Sequence, residues 1–190
     1  MSASVTTQTP LRKSHRSALV VPVPLSPQIK EIRTELEHKS HRWMPHINLA
    51  YPFHPYDCAT QRSTAQMIRR LCEQIPSFSV QLEKIEYFQQ RSGRSLFYVA
   101  PNNQIPFRNL QEALADIFPD CADVAHYTRG YQPHMVLGAC PKEQNPAELL
   151  ARLQSKWHPI NFRVDTITWA MRSDTGPFAS GEHFNRLTSH

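Results

Sequence analysis

The sequence predicts an α+β fold of two pseudo-symmetric lobes, each an antiparallel sheet with outer helices, around a central cleft. Three observations predict it. Short β-branched or alternating runs are interleaved with amphipathic stretches of helical period along the 190 residues. The second half of the chain runs through the same elements as the first, and an internal repeat decides architecture before other signals do. Two strand-like segments, each holding one histidine, stand at matching places in the two halves.

Residues 18–23 are apolar and β-branched (Leu19, Val20, Val21, Val23) and read as a buried strand. Ser26-Pro27 supplies an N-cap and a proline at the first helical position; Ile29, Ile32, Arg33 and Leu36 continue at helical spacing to about Lys39. Residues 43–51 are strand-like. A helix follows over 60–74, with Met67, Ile68 and Leu71 expected on its inner face. Phe78, Val80 and Leu82 alternate as in a half-buried strand, and residues 95–100 look like its hairpin partner. Pro106 opens a helix with Leu110, Leu114 and Ile117 inward, residues 131–139 are strand-like, and Asn145-Pro146 caps a helix carrying Leu149, Leu150 and Leu153. Phe162, Val164 and Ile167 alternate in a further strand, and Gly176-Pro177-Phe178 leads into a last short one. Residues 1–15 are expected to be a flexible tail, Ser/Thr-rich at its start and without the apolar core of a signal peptide. Residues 16–190 are then a single bilobal domain.

The repeat is specific. His46 and His134 stand 88 positions apart. Each follows a proline (Pro45, Pro133), has an aromatic residue three positions back (Trp43, Tyr131) and a leucine three positions on (Leu49, Leu137). A helix and a Phe-x-Val strand come next in both halves, Phe78-Val80 and Phe162-Val164. Arg-Ser follows, with a phenylalanine six residues beyond the arginine: Arg91 to Phe97, and Arg172 to Phe178. Alternation along a strand puts His46 and Asn48 on one face and Ile47 and Leu49 in the core; in the second copy His134 and Val136 share a face opposite Met135 and Leu137. Pseudo-twofold packing of the copies would set two imidazoles across a cleft.

Those residues resemble the two-histidine (2H) phosphoesterase superfamily, which includes 2′-5′ RNA ligase-like proteins and cyclic nucleotide phosphodiesterases. That family carries two His-x-Thr/Ser-x motifs, with x hydrophobic, one on each lobe. The stretch from Arg42 to Phe53, RWMPHINLAYPF, looks like the first motif of a 2′-5′ RNA ligase-like branch, and the resemblance extends over residues 17–184. It implies a phosphodiesterase acting on 2′,3′-cyclic phosphate or 2′-5′ bonds of RNA or nucleotides, with His46 and His134 as general acid and base. Imidazole titrates near neutral pH and suits both tasks, so no metal or other cofactor is required. A working assignment makes His134 the base and His46 the acid. Asn48 stands where the family has Thr or Ser and can still donate to a phosphate oxygen; Val136 stands at the second such position and cannot. Tyr51, Tyr131 and Phe178 are candidates to stack a base, and Arg129 and Arg172 to contact phosphate. Because Val136 removes a donor, a catalytically weakened nucleotide- or RNA-binding module is the alternative.

The remaining signals narrow the field. A net charge of +5 favours an anionic partner such as RNA or a small nucleotide, although the basic residues are scattered. No run approaches the roughly 20 apolar residues of a membrane span. Cys58, Cys72, Cys121 and Cys140 form no C-x-x-C and read as buried thiols of a cytoplasmic protein, expected to be a monomer. His38, His41, His46, His54 and Cys58 gather the ligand types zinc uses, yet in no familiar spacing. There is no G-x-S-x-G, Walker loop or G-x-G-x-x-G.

Overall fold

The computed structural model describes residues 13–36, 43–56, 59–126, 129–141, 143–174 and 176–185. The apolar run at the start forms strand β1 (Ser17–Pro22), buried along its length up to the half-buried Pro22. Helix α1 (Pro27–Glu35) follows as expected: Ser26 Oγ accepts from the Ile29 amide at 3.3 Å, and proline occupies the first turn, where its missing N–H costs nothing. The expected continuation of this helix to Lys39 falls largely outside the described residues. Helix α4 (Pro146–Lys156) starts in the same way, with Asn145 Oδ1 accepting from the Ala147 amide at 2.9 Å.

Between them lie β2 (His46–Ala50), α2 (Gln61–Gln74), β3 (Phe78–Gln89), β4 (Ser95–Pro101), α3 (Ile105–Ile117) and β5 (Met135–Ala139); β6 (Ile160–Val164), β7 (Thr166–Met171) and β8 (Ala179–Asn185) complete the chain. The β3–β4 hairpin is closed by Gly93 at φ +79°, a left-handed conformation that suits glycine. Two sequence expectations need correction. Met67 is 39% exposed, because the inner stripe of α2 is Thr64, Ala65, Ile68, Leu71 and Cys72, and Met67 stands to one side of it. Phe162, Val164 and Ile167 belong to two strands. The alternation slips phase at Asp165, where β6 ends and β7 begins.

All eight strands join one antiparallel sheet in the order β6-β3-β4-β5-β2-β1-β7-β8. Its two four-stranded halves are the lobes, and they meet where β2 pairs β5, Ile47 opposite Met135. The lobes are not the two halves of the chain. The matched Phe-x-Val segments lie side by side, Phe78 opposite Val164 and Val80 opposite Phe162, while β7 and β8 return to β1. Asp165 alone carries the chain from β6 at one edge to β7 in the other half, so the sheet must curl.

One continuous core lies between the sheet and all four helices. Leu19, Ile47, Leu49, Phe97, Met135, Leu137 and Trp169 face Ile29 and Ile32 of α1, Ile68 of α2, Leu110 of α3 and Leu153 of α4, all 3% exposed or less. The opposite face of the sheet carries a smaller cluster of Ala18, Val20, Ala170 and Phe178, with Trp43, Met44 and Tyr51 against it. Residues 13–15 of the expected tail are engaged: Ser14 bridges Phe53, and Lys13 pairs with Asp123 at 2.7 Å. Cys72, Cys121 and Cys140 are buried; Cys58 lies outside the described residues. No described helix is long and apolar enough to cross a membrane.

Ile47 is fully buried at the join of the lobes. Truncating it to alanine is expected to cost about 2–5 kcal/mol, read as a lower urea midpoint at unchanged slope.

Candidate active site

The β2–β5 register sets the site. Ile47 and Met135 pair and point into the core, both fully buried. One residue to either side, the register brings His46 opposite Val136 and Asn48 opposite His134, all four on the face away from the helices. The two histidines are therefore diagonal cross-strand neighbours, with backbones roughly 7–8 Å apart.

Both rings are anchored alike. His46 Nδ1 lies 2.7 Å from the Met44 carbonyl oxygen, and His134 Nδ1 lies 2.7 Å from that of Gln132. A carbonyl only accepts, so each Nδ1 carries the proton and each Nε2 is left to exchange one. The repeated proline accounts for the likeness: Pro45 and Pro133 restrict the backbone at the same step before each ring.

Their surroundings differ. Burial pushes the His46 imidazole down to about 4, against the pull of the Met44 carbonyl and with help from the charges of Arg33 and His134. Arg33 comes from α1, is 3% exposed, and donates from Nη2 to the Trp43 carbonyl at 2.9 Å. Burial lowers its own guanidinium to about 10. His46 also stacks on Trp43, with centroids 4.2 Å apart, and Trp43 stacks on Phe178 at 3.4 Å. Arg172 covers the Phe178 ring at 5.0 Å, and Tyr51 meets both Trp43 and Phe178 edge to face. Tyr51, Phe178 and Arg172 thus gather on the His46 side, in one packed group of rings.

Tyr131 lies elsewhere than expected. It is 8% exposed in the main core, and its hydroxyl donates to the backbone carbonyl of Asn48 at 2.7 Å. Burial raises its phenol far above the usual range, so it remains a donor. It braces the first motif from the approach to the second and offers no platform for a base. Asn48 Oδ1 is buried without a hydrogen-bond partner.

On the His134 side the structure adds residues the sequence reasoning missed. Tyr98 stands opposite Val136 and meets the His134 ring edge to face at 5.4 Å. Its hydroxyl donates to Glu86 Oε2 at 2.7 Å. Burial, and then Glu86, push the phenol up to about 12, while the nearby charge of Arg129 works the other way. Phe88 lies 6.5 Å from His134 and is 42% exposed. The alternation around Phe97 and Val99 signals that Tyr98 leaves the core. Its neighbour His134 depends on a β4–β5 pairing that alternation does not reveal.

Among the described residues, the His/Cys/Asp/Glu group close enough to hold a metal is His54, Asp120 and Cys121, with donor atoms within 4.8 Å. His54 Nε2 already pairs with Asp120 Oδ2 at 2.8 Å, and burial foremost pushes the Cys121 thiol up to about 12, the protonated form. The group includes neither His46 nor His134. His38, His41 and Cys58 lie outside the described residues. Grooves of about 550 and 570 Å³ open near the β6–β7 link and between β3 and α4, and neither histidine lines them.

Comparison with solved structures shows the same fold. TT0787 of Thermus thermophilus superimposes with a TM-score of 0.60 at 16% identity, covering 92% of this chain and 100% of that one. Escherichia coli LigT complexed with phosphate gives 0.53 at 15% identity, covering 94% and 100%. LigT complexed with 3′-AMP gives 0.55 at 15%, covering 92% and 99%. A comparison with curated proteins finds no match. The family model described as the 2′-5′ RNA ligase superfamily matches residues 21–176, most of the chain, and the protein belongs to that family.

Proposed function

We propose that this protein is a metal-independent phosphodiesterase that opens 2′,3′-cyclic phosphates or cleaves 2′-5′ bonds of nucleotides or RNA. The observation that carries the reading is the pair of identically anchored imidazoles on neighbouring strands, both presenting Nε2 on the open face. The complexes of the similarly folded LigT with phosphate and with 3′-AMP support a nucleotide phosphate as the ligand.

The environments favour an order opposite to the one first read from the sequence. His46 is held neutral by burial and by Arg33, which suits a base. Its Nε2 takes a proton from water as the water oxygen bonds to phosphorus. The P–O bond to the ribose oxygen breaks, and His134 Nε2 gives that oxygen a proton. The amide of Asn48 lies beside His134, with its Oδ1 buried and unpartnered. Val136, opposite His46, supplies no donor. That observation favours a second reading, a binding module with weak turnover.

Turnover of 2′,3′-cyclic nucleotides is expected to survive EDTA and to fall at least a hundredfold in both His46→Ala and His134→Ala, with far-UV circular dichroism unchanged. Full activity in either variant would sink the two-histidine mechanism; nucleotide binding without turnover would leave the binding module. Val136→Thr is expected to raise kcat by roughly tenfold, the worth of one hydrogen bond to a charged oxygen. A rate no higher than that of the native protein would remove the missing hydroxyl as a handicap.

His46 also sets a pH dependence of stability. The unfolded chain titrates at this residue near 6.5 and the folded one near 4, so between those values the unfolded state binds more protons. Stability from this group is complete above about 6.5, declines as pH falls toward 4, and is gone below. The His46→Gln variant is expected to show a shallower acid limb in urea denaturation; an identical limb would contradict the burial argument.

A further inference from the structure

The open face of the sheet is furnished differently on the two sides of the histidine pair. On the His46 side the aromatic surface is used up. His46 and Phe178 lie so close to the Trp43 ring, at 4.2 and 3.4 Å, that they occupy its two faces, and Phe178 is itself only 6% exposed. Among the described residues, no ring is stacked on Phe88 on the His134 side. Its neighbours are Tyr98, tilted at 48° and 5.7 Å away, and His134, edge-on at 6.5 Å. A phenylalanine 42% exposed beside a proton-transfer residue presents a free π-face to whatever binds there.

Glu86 lies two residues before Phe88 on the same strand face, directly opposite Tyr98 in the hairpin register. Tyr98 holds one of its carboxylate oxygens at 2.7 Å. The Glu86 residue is otherwise exposed. A carboxylate repels phosphate and accepts hydrogen bonds only, so it suits a neutral donor such as the amino group of a base.

We infer that Phe88, Tyr98 and Glu86 form a nucleobase subsite on the His134 side, taking bases with an exocyclic amino group in preference to uracil. Phe88 supplies the stacking plane, Tyr98 the side wall, and Glu86 the acceptor for the amino group. Cytosine places N4–H₂ where uracil places O4, an acceptor that the carboxylate repels. The subsite rests on the phosphodiesterase reading and agrees with its proton order. In a 2′,3′-cyclic nucleotide the leaving oxygen belongs to the ribose of the same nucleoside, so a base on Phe88 brings that oxygen toward His134.

The test compares 2′,3′-cyclic CMP with 2′,3′-cyclic UMP in turnover, and 3′-CMP with 3′-UMP in calorimetric binding, for the native chain, Phe88→Ala and Glu86→Ala. Both side chains are exposed, so both variants are expected to fold. The native chain should favour the cytosine ligands by roughly tenfold. Phe88→Ala should weaken both ligands by roughly tenfold or more, chiefly in KM, and keep the preference. Glu86→Ala should bring the preference close to unity. Equal handling of cytosine and uracil by the native chain, or indifference to Phe88→Ala, overturns the subsite even where turnover is brisk. The same pattern in binding without any turnover upholds the subsite and overturns the phosphodiesterase reading. Absence of both binding and turnover overturns both.

Discussion

The contact between β2 and β5 is the constraint on which the rest of the molecule depends. One residue pair, Ile47 and Met135, is where the two four-stranded halves become one sheet. The side-chain period of a strand is two, so a slip of one residue would turn His46 and His134 into the core and Ile47 and Met135 out to solvent. Burial of those two apolar side chains therefore specifies the reactive face. Tyr131 strengthens the same register from the side, tying the loop before His134 to the backbone of Asn48. Apolar packing on one face thereby positions polar chemistry on the other.

From that junction outward the sheet and helices follow a single arrangement. Helices α1 to α4 all pack on the core face, which leaves the histidine face uncovered by any described helix. The link at Asp165 makes the sheet curl, and the crossing of β3 and β7 between the halves ties each lobe to the other's chain segment. Neither lobe can unfold without breaking strands that belong to both halves of the sequence, which favours a cooperative transition. For a site built from residues on both sides of the join, this keeps the spacing of the two imidazoles constant.

How far the fold and site could be read from the sequence depends on whether the signal was local. Periodicity marks all four helices and most strands, and the caps at Ser26 and Asn145 act as their residue types suggest. The repeat around Pro45-His46 and Pro133-His134 corresponds to a shared backbone feature, the carbonyl two residues back that receives each Nδ1. Non-local facts left no such mark. The pairing of Phe78 with Val164 inverts the simple picture of one half per lobe, because a linear repeat does not say which strands exchange. Arg33 reads as one more residue on a helix, and its place behind Trp43 and His46 follows only from how α1 docks. Tyr131 looked like a ring for a base and is a buried brace, since aromatic type alone does not distinguish the two.

On the proposed reading, the duplication lets this site divide labour between two like residues. Identical anchoring makes both imidazoles present the same nitrogen, so nothing in the anchors themselves separates acid from base. The difference comes from what each copy packs against. His46 lies under a stack of Trp43 and Phe178 with a buried guanidinium behind it, an environment that penalises a second positive charge. His134 meets Tyr98 and Phe88 edge-on, and Tyr98 in turn donates to the carboxylate of Glu86, on the side of the sheet where Phe88 is exposed. Substitutions in the shell around a duplicated motif can thus polarise it without touching the histidines. Asn48 and Val136 carry the same asymmetry into the motif itself, one copy keeping a hydrogen-bonding side chain and the other none. On the proposed reading, a two-copy fold freed from strict symmetry in this way seats an asymmetric substrate, with its base on one side of the phosphate and water on the other.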